Sequence, residues 1–146
     1  MSVMAKPWLF AAALLLFGCG KELGRLPFSG EGSKAAVTTL AAGNVAFWTD
    51  VDVEYEGSAT LDYRIGLVQG GRRVATTVCN SLGPMSTKLG WVEVDRGALH
   101  SRTGKGKMSC SATLLTGGPT TVEASLVFSV RPLRATIAKA DLVVKQ

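Results

Sequence analysis

Five carboxylates crowd one short stretch of the chain: Asp50, Asp52 and Glu54 stand two apart, with Glu56 and Asp62 close by. Oxygen donors of this kind bind hard cations such as calcium, which takes several carboxylate and carbonyl ligands. Two of them placed across a sugar bond can hydrolyse it. The residues in between argue against both uses. Val45, Phe47, Thr49, Val51, Val53 and Tyr55 alternate with Ala46, Trp48, Asp50, Asp52 and Glu54, and side chains that alternate this way stand on the two faces of a strand. Carboxylates at i and i+2 of a strand point in parallel into water and do not converge on one ion. The row reads as a solvated sheet face whose charge also discourages edge pairing, and no metal ligand set is assigned.

A second constellation is basic: Arg96, Arg102, Lys105 and Lys107, with His100 among them and glycines at 97, 104 and 106. The composition predicts a loop over most of 96–106. Arg102 and Lys105 are the candidates there for holding a phosphate, a lipid headgroup or an acidic glycan. A flexible, solvated hairpin accounts for the same residues, and no Gly-x-x-x-x-Gly-Lys-Ser/Thr run is present. His100 is the sole histidine, followed by Ser101. A hydrolytic triad needs a base oriented by a third group and a nucleophile facing it from elsewhere in the fold. Neighbours in a loop do not supply that. The chain therefore reads as non-enzymatic, with no catalytic residue and no cofactor.

Trp48 and Trp91 are the remaining ligand candidates. Trp48 shares a face with the carboxylates, and an exposed indole beside carboxylates suits stacking on a sugar ring. The same position reads equally well as a packing edge or a protein interface.

The elements that must carry these residues are strands. Ala59 to Gln69 alternates Leu61, Tyr63, Ile65 and Leu67 against Asp62 and Arg64, and Gly70-Gly71 turns it into a run from Arg72 to Cys79. A Gly-Gly between two such runs signals a hairpin. Further strands are expected at Lys88 to Val94, Lys107 to Leu115, Thr121 to Val130 and Ala135 to Lys145. Seven or eight short strands separated by turns predict an all-β fold, a single antiparallel β-sandwich of Ig-like or jelly-roll type over 34–146. Immunoglobulin membership itself is not supported. Cys79, Trp91 and Cys110 give the right order of residue types, but position 108 is a methionine where that family keeps a tyrosine. Upstream, GKELGRLPFSGEGS reads as a flexible tether reaching to Ser33.

The amino terminus adds an address. Lys6 and Pro7 precede an apolar run from Trp8 to Phe17, and the run closes on Leu16-Phe17-Gly18-Cys19. Trp8 to Gly18 is eleven residues, too few for a transmembrane helix, which needs about 20. This stretch resembles a bacterial lipoprotein signal peptide. The resemblance implies removal of residues 1–18, a diacylglycerol thioether on Cys19 and acylation of its new amino group. Several acyl chains together hold a protein stably on a membrane, where one alone is marginal. Gly20 after the cysteine resembles the outer-membrane default of Gram-negative families. With Cys19 taken by lipid, Cys79 and Cys110 remain as an even pair in an oxidising compartment, and one structural disulfide between them is the simplest reading. Such a bridge contributes roughly 3–4 kcal/mol.

Removing the leader leaves 128 of the 146 residues, one domain's worth. The net charge of +5 falls to +4 without Lys6, too little and too scattered to predict a nucleic-acid partner. The combined expectation is a membrane-anchored envelope lipoprotein whose sandwich binds or scaffolds another envelope component. The alternative is a carbohydrate-binding module using Trp48, Trp91 and nearby carboxylates. It requires Trp48 to be exposed.

Overall fold

The computed structural model describes residues 20–146. The leader and Cys19 lie outside the described residues. Within them are nine strands: β1 Glu22–Phe28, β2 Gly32–Leu40, β3 Gly43–Glu56, β4 Thr60–Gln69, β5 Arg72–Asn80, β6 Met85–Arg96, β7 Leu99–Leu114, β8 Gly118–Val130 and β9 Arg134–Lys145. They form two antiparallel sheets, one of five strands in the order β1-β9-β3-β7-β6 and one of four in the order β2-β8-β4-β5. Only β4–β5 and β6–β7 are hairpins within a sheet. Every other connection crosses between layers, so neither sheet can form without the other.

The alternating runs explain the core. Odd positions of β3 (Val45, Phe47, Thr49, Val51, Val53, Tyr55) and odd positions of β4 (Leu61, Tyr63, Ile65, Leu67) point inward and are buried, as are Val122, Ala124, Leu126 and Phe128 of β8. One polar pair sits among them. The Tyr63 and Thr49 hydroxyls are 2.7 Å apart and fully buried, joining β4 to β3 across the layers. Burial pushes the Tyr63 phenol up from its ordinary value, so it stays neutral and keeps its hydrogen bond. Cys79 of β5 is bonded to Cys110 of β7, with their Cα atoms 5.4 Å apart. The bridge ties the two sheets together at one side.

Two expectations are corrected. The stretch from Gly20 to Ser33 is not a flexible tether: Glu22–Phe28 is β1, paired with β9 from Glu22↔Lys145 to Phe28↔Ala140. Leu26 and Phe28 are each 3% exposed, and burying two such side chains contributes roughly 1.5–3 kcal/mol apiece. Pro27 is tolerated because β1 is an edge strand and Pro27 is exposed. Among the described residues, Gly20 and Lys21 alone precede the first strand. The second correction is the loop expected at 96–106. Gly97, with φ of 62°, makes a tight turn, and β7 runs on from Leu99 to Leu114. Added to the strands read from alternation, β1 and β2 bring the sandwich to nine.

Candidate functional site

The outer face of the five-stranded sheet holds the acidic row, but the row does not behave as one. Trp48, Asp50 and Asp141 are 4%, 8% and 7% exposed although they point away from the core. β3 is the middle strand of five, and long side chains from β1 and β9 fold over it. Asp50 and Asp141 stand directly opposite each other, an arrangement that repels when unbridged. Arg25 bridges them: its Nη1 donates to Asp141 Oδ2 at 2.8 Å and to Asp50 Oδ2 at 3.1 Å, while its Nε and Nη2 bind Glu22. Lys139 Nζ lies 3.0 Å from Asp50. Burial works against ionising Asp50, but the hydrogen bonds from Lys139 and Arg25 outweigh it and hold the carboxyl below its ordinary value. Asp52 and Glu54 stay exposed, and Glu56 pairs with Arg134. Among the described residues no three His, Cys, Asp or Glu side chains are grouped to hold a metal.

Trp48 is therefore not a free platform. Lys145 Nζ sits 4.0 Å from the centre of its ring, and Val143 and Lys107 stand beside it in register. This corrects the exposed-indole expectation. Trp91 belongs to the opposite face: it packs partly against the core, and its Nε1 donates to Glu93 Oε1 at 2.8 Å. The two tryptophans are not brought together, and the aromatic form of the glycan reading loses its support.

Arg102 and Lys105 are separated in the same way. Arg102 is opposite Val53, on the inward side of β7, and Lys105 is opposite Asp50, on the outward side. Arg102 joins a polar cluster on the β6–β7 hairpin. Its Nη1 donates to Asp95 Oδ1 at 2.8 Å and to its neighbour's carbonyl, and its guanidinium lies 6.0 Å over the Tyr55 ring. His100 Nδ1 is 2.6 Å from the same Asp95 oxygen, and its ring lies 5.1 Å from Tyr55. Hydrogen bonds from His100 and then Arg102 lower the Asp95 carboxyl. A carboxylate-oriented histidine is half of a nucleophilic apparatus. Ser101 points to the other face of β7, and among the described residues no hydroxyl is hydrogen-bonded to His100.

Alternation along single strands does not reveal a groove of about 680 Å³ on the outer face of the four-stranded sheet. Small residues make up about half of its floor. Ala35, Glu123, Gly66 and Thr76 stand in one cross-strand row, with Ser33, Ser125, Arg64 and Val78 in the next. Gly66 leaves room for Arg73 to lie across the sheet, since a Cβ there would come within 2.9 Å of Arg73 Nε. Arg73 pairs with Glu123 at 2.9 Å, and the Ser33 and Ser125 hydroxyls are 2.7 Å apart. Arg64 points into the groove with no carboxylate within 4.0 Å among the described residues. The available signal was the even positions of β4, where a charged residue and a glycine follow each other on the outward side.

No protein-family model matches the chain, and no curated protein matches it.

Proposed function

We propose that this chain is an acyl-anchored lipoprotein of a bacterial cell envelope, whose sandwich binds or scaffolds another envelope component through the groove on its four-stranded sheet. The cysteine arithmetic carries the reading. Of three cysteines, Cys79 and Cys110 are bonded to each other, as suits an oxidising compartment. That leaves Cys19, at the end of the lipobox-like run, as the thiol available for a thioether.

The groove supplies the recognition surface by its shape and chemistry. Small side chains leave the sheet approachable by an extended polar segment, and hydroxyls at Ser33, Thr76 and Ser125 offer donors and acceptors along it. Arg64 offers a charge with no ion-pair partner among the described residues, suited to a carboxylate. Anchorage concentrates such a weak recognition surface at the membrane, where effective concentration replaces intrinsic affinity.

Metabolic labelling with palmitate tests the anchor. The full chain expressed in a Gram-negative host incorporates label and fractionates with the outer membrane, and Cys19→Ala does neither. Unlabelled wild-type protein recovered in the soluble periplasm would overturn the reading.

A further inference from the structure

The end of the sandwich from which Gly20 emerges is assembled from four separate pieces of chain. Lys21 N–H donates to the Gln146 carbonyl at 2.9 Å, and Gln146 N–H donates back at 3.3 Å. The Gln146 side chain then accepts from Ala41 N–H at 2.7 Å and donates to the Ala41 carbonyl at 2.8 Å. Gly117 packs on the same loop, where a Cβ would meet the Leu40 carbonyl oxygen at 3.0 Å. The β2–β3 and β7–β8 loops and both ends of the described chain therefore share one tip. Leu115, in the β7–β8 loop at that tip, is 94% exposed. A leucine so placed buries nothing in the folded domain.

The outer face next to this tip is basic. Gly20, Trp48, Lys107 and Lys145 line one open recess of about 630 Å³, and Lys105 follows along β7 opposite Asp50. Among the lysines of the described residues only Lys88 and Lys139 lie within 4.0 Å of a carboxylate. Lys21, Lys107 and Lys145 thus stand near the tip with no carboxylate within 4.0 Å, although Glu22 faces Lys145 across the β1–β9 pair, and the exposed Leu115 shares that end. Lysine at the headgroup level, with an aliphatic side chain below it, is a pairing that a membrane interface accommodates.

We propose that this corner docks the sandwich on an anionic phospholipid surface, with Leu115 entering the headgroup layer and Lys21, Lys107 and Lys145 meeting lipid phosphates. The proposal deepens the lipid-anchor reading and rests on it for orientation. Glu22 is three residues from Cys19, so at ~3.3–3.6 Å per residue it lies within about 10 Å of an acyl-bearing cysteine. The screening length at physiological salt is about 8 Å. Lys21, one residue nearer the cysteine, lies within that range, and each lysine that reaches the surface strengthens binding about fivefold.

The span 20–146 contains all nine strands, the core and the disulfide, so docking can be measured without the leader. The assay is co-sedimentation with vesicles of phosphatidylcholine alone and with added phosphatidylglycerol. The wild-type span binds the anionic vesicles and releases them at high salt. Lys21→Gln, Lys107→Gln and Lys145→Gln combined weaken binding about 100-fold, and Leu115→Ser weakens it about tenfold. Lys34→Gln with Arg131→Gln and Arg134→Gln, a matched loss of charge at the other end of the sandwich, leaves it unchanged. Equal binding to both vesicle types, no binding to either, or an equal loss in the far-end variant overturns the docking surface. Vesicle binding retained by a chain whose Cys19 takes no palmitate supports this surface while removing the anchor.

Discussion

Asp50 and Arg64 occupy comparable stations, each a charged side chain on the outward side of an interior strand, and they meet opposite treatment. Asp50 is 8% exposed and held by Arg25 and Lys139. Arg64 is exposed and, among the described residues, without an ion pair, above a floor that includes Ser33, Ala35, Gly66 and Ser125. The neighbours make the difference. The five-stranded sheet borrows long side chains from β1 and β9 to roof its outer face, so its polar groups satisfy one another and leave little for a ligand. The four-stranded sheet has Ala35, Gly66 and Ser125 on its outward side, and its cover there is the single Arg73–Glu123 pair lying over Gly66. A charge row in a sequence therefore says little about recognition until the lengths of its cross-strand neighbours are known.

The largest effects are expected on the closed side. Trp48→Ala removes a large buried side chain from under Lys145 and is expected to cost about 3 kcal/mol or more, read as a lower urea midpoint at unchanged slope. An effect below about 0.5 kcal/mol would mean that the outer face is not packed. Arg25→Ala leaves Asp50 and Asp141 facing each other unbridged. The expected loss is about 2–3 kcal/mol, short of the value for a fully buried pair because the Arg25 side chain is 30% exposed.

Acid provides a third test. Asp50 is held below its ordinary 3.8, so the stability its ionisation contributes is fully present above that value. It is lost as pH falls through the lower folded value, when the folded state must take up the proton. Denaturation followed from pH 6 downward should show this drop, and Asp50→Asn should make the curve shallower. On the open side the expected effects are small. Gly66→Ala forces only the flexible Arg73 side chain to move, and Arg64→Ala breaks no ion pair, so each should change stability by less than about 1 kcal/mol. A larger loss at Arg64 would show that the groove is a structural surface like the opposite face.

Much of the sandwich was legible because its central strands bury one face only, which imprints a two-residue period on Val45–Tyr55, Leu61–Leu67 and Val122–Phe128. β1 left no such imprint. It has two deeply buried positions, Leu26 and Phe28, among glycines, charges and a proline, and it is a strand because β9, more than a hundred residues away, pairs with it. The first part of β7 was hidden likewise: glycine and basic content predicts a loop, and pairing with β3 and β6 on both sides overrides that preference. The burial of Trp48 follows from the same long-range pairing, since Lys145, which covers its ring, and its register partner Val143 lie on β9, nearly a hundred residues along the chain. The Cys79–Cys110 bridge was legible because only two cysteines remained to pair. The groove was not, because a floor of small residues is a feature of several strands together.

Lipidation of Cys19 is measured most directly by mass spectrometry of the amino-terminal peptide of the full chain, expressed in a bacterium and recovered from membranes. The peptide is expected to begin at Cys19 and to carry a diacylglycerol thioether with an acylated amino group. A peptide beginning at any other residue, or an unmodified Cys19, would rule out the anchor.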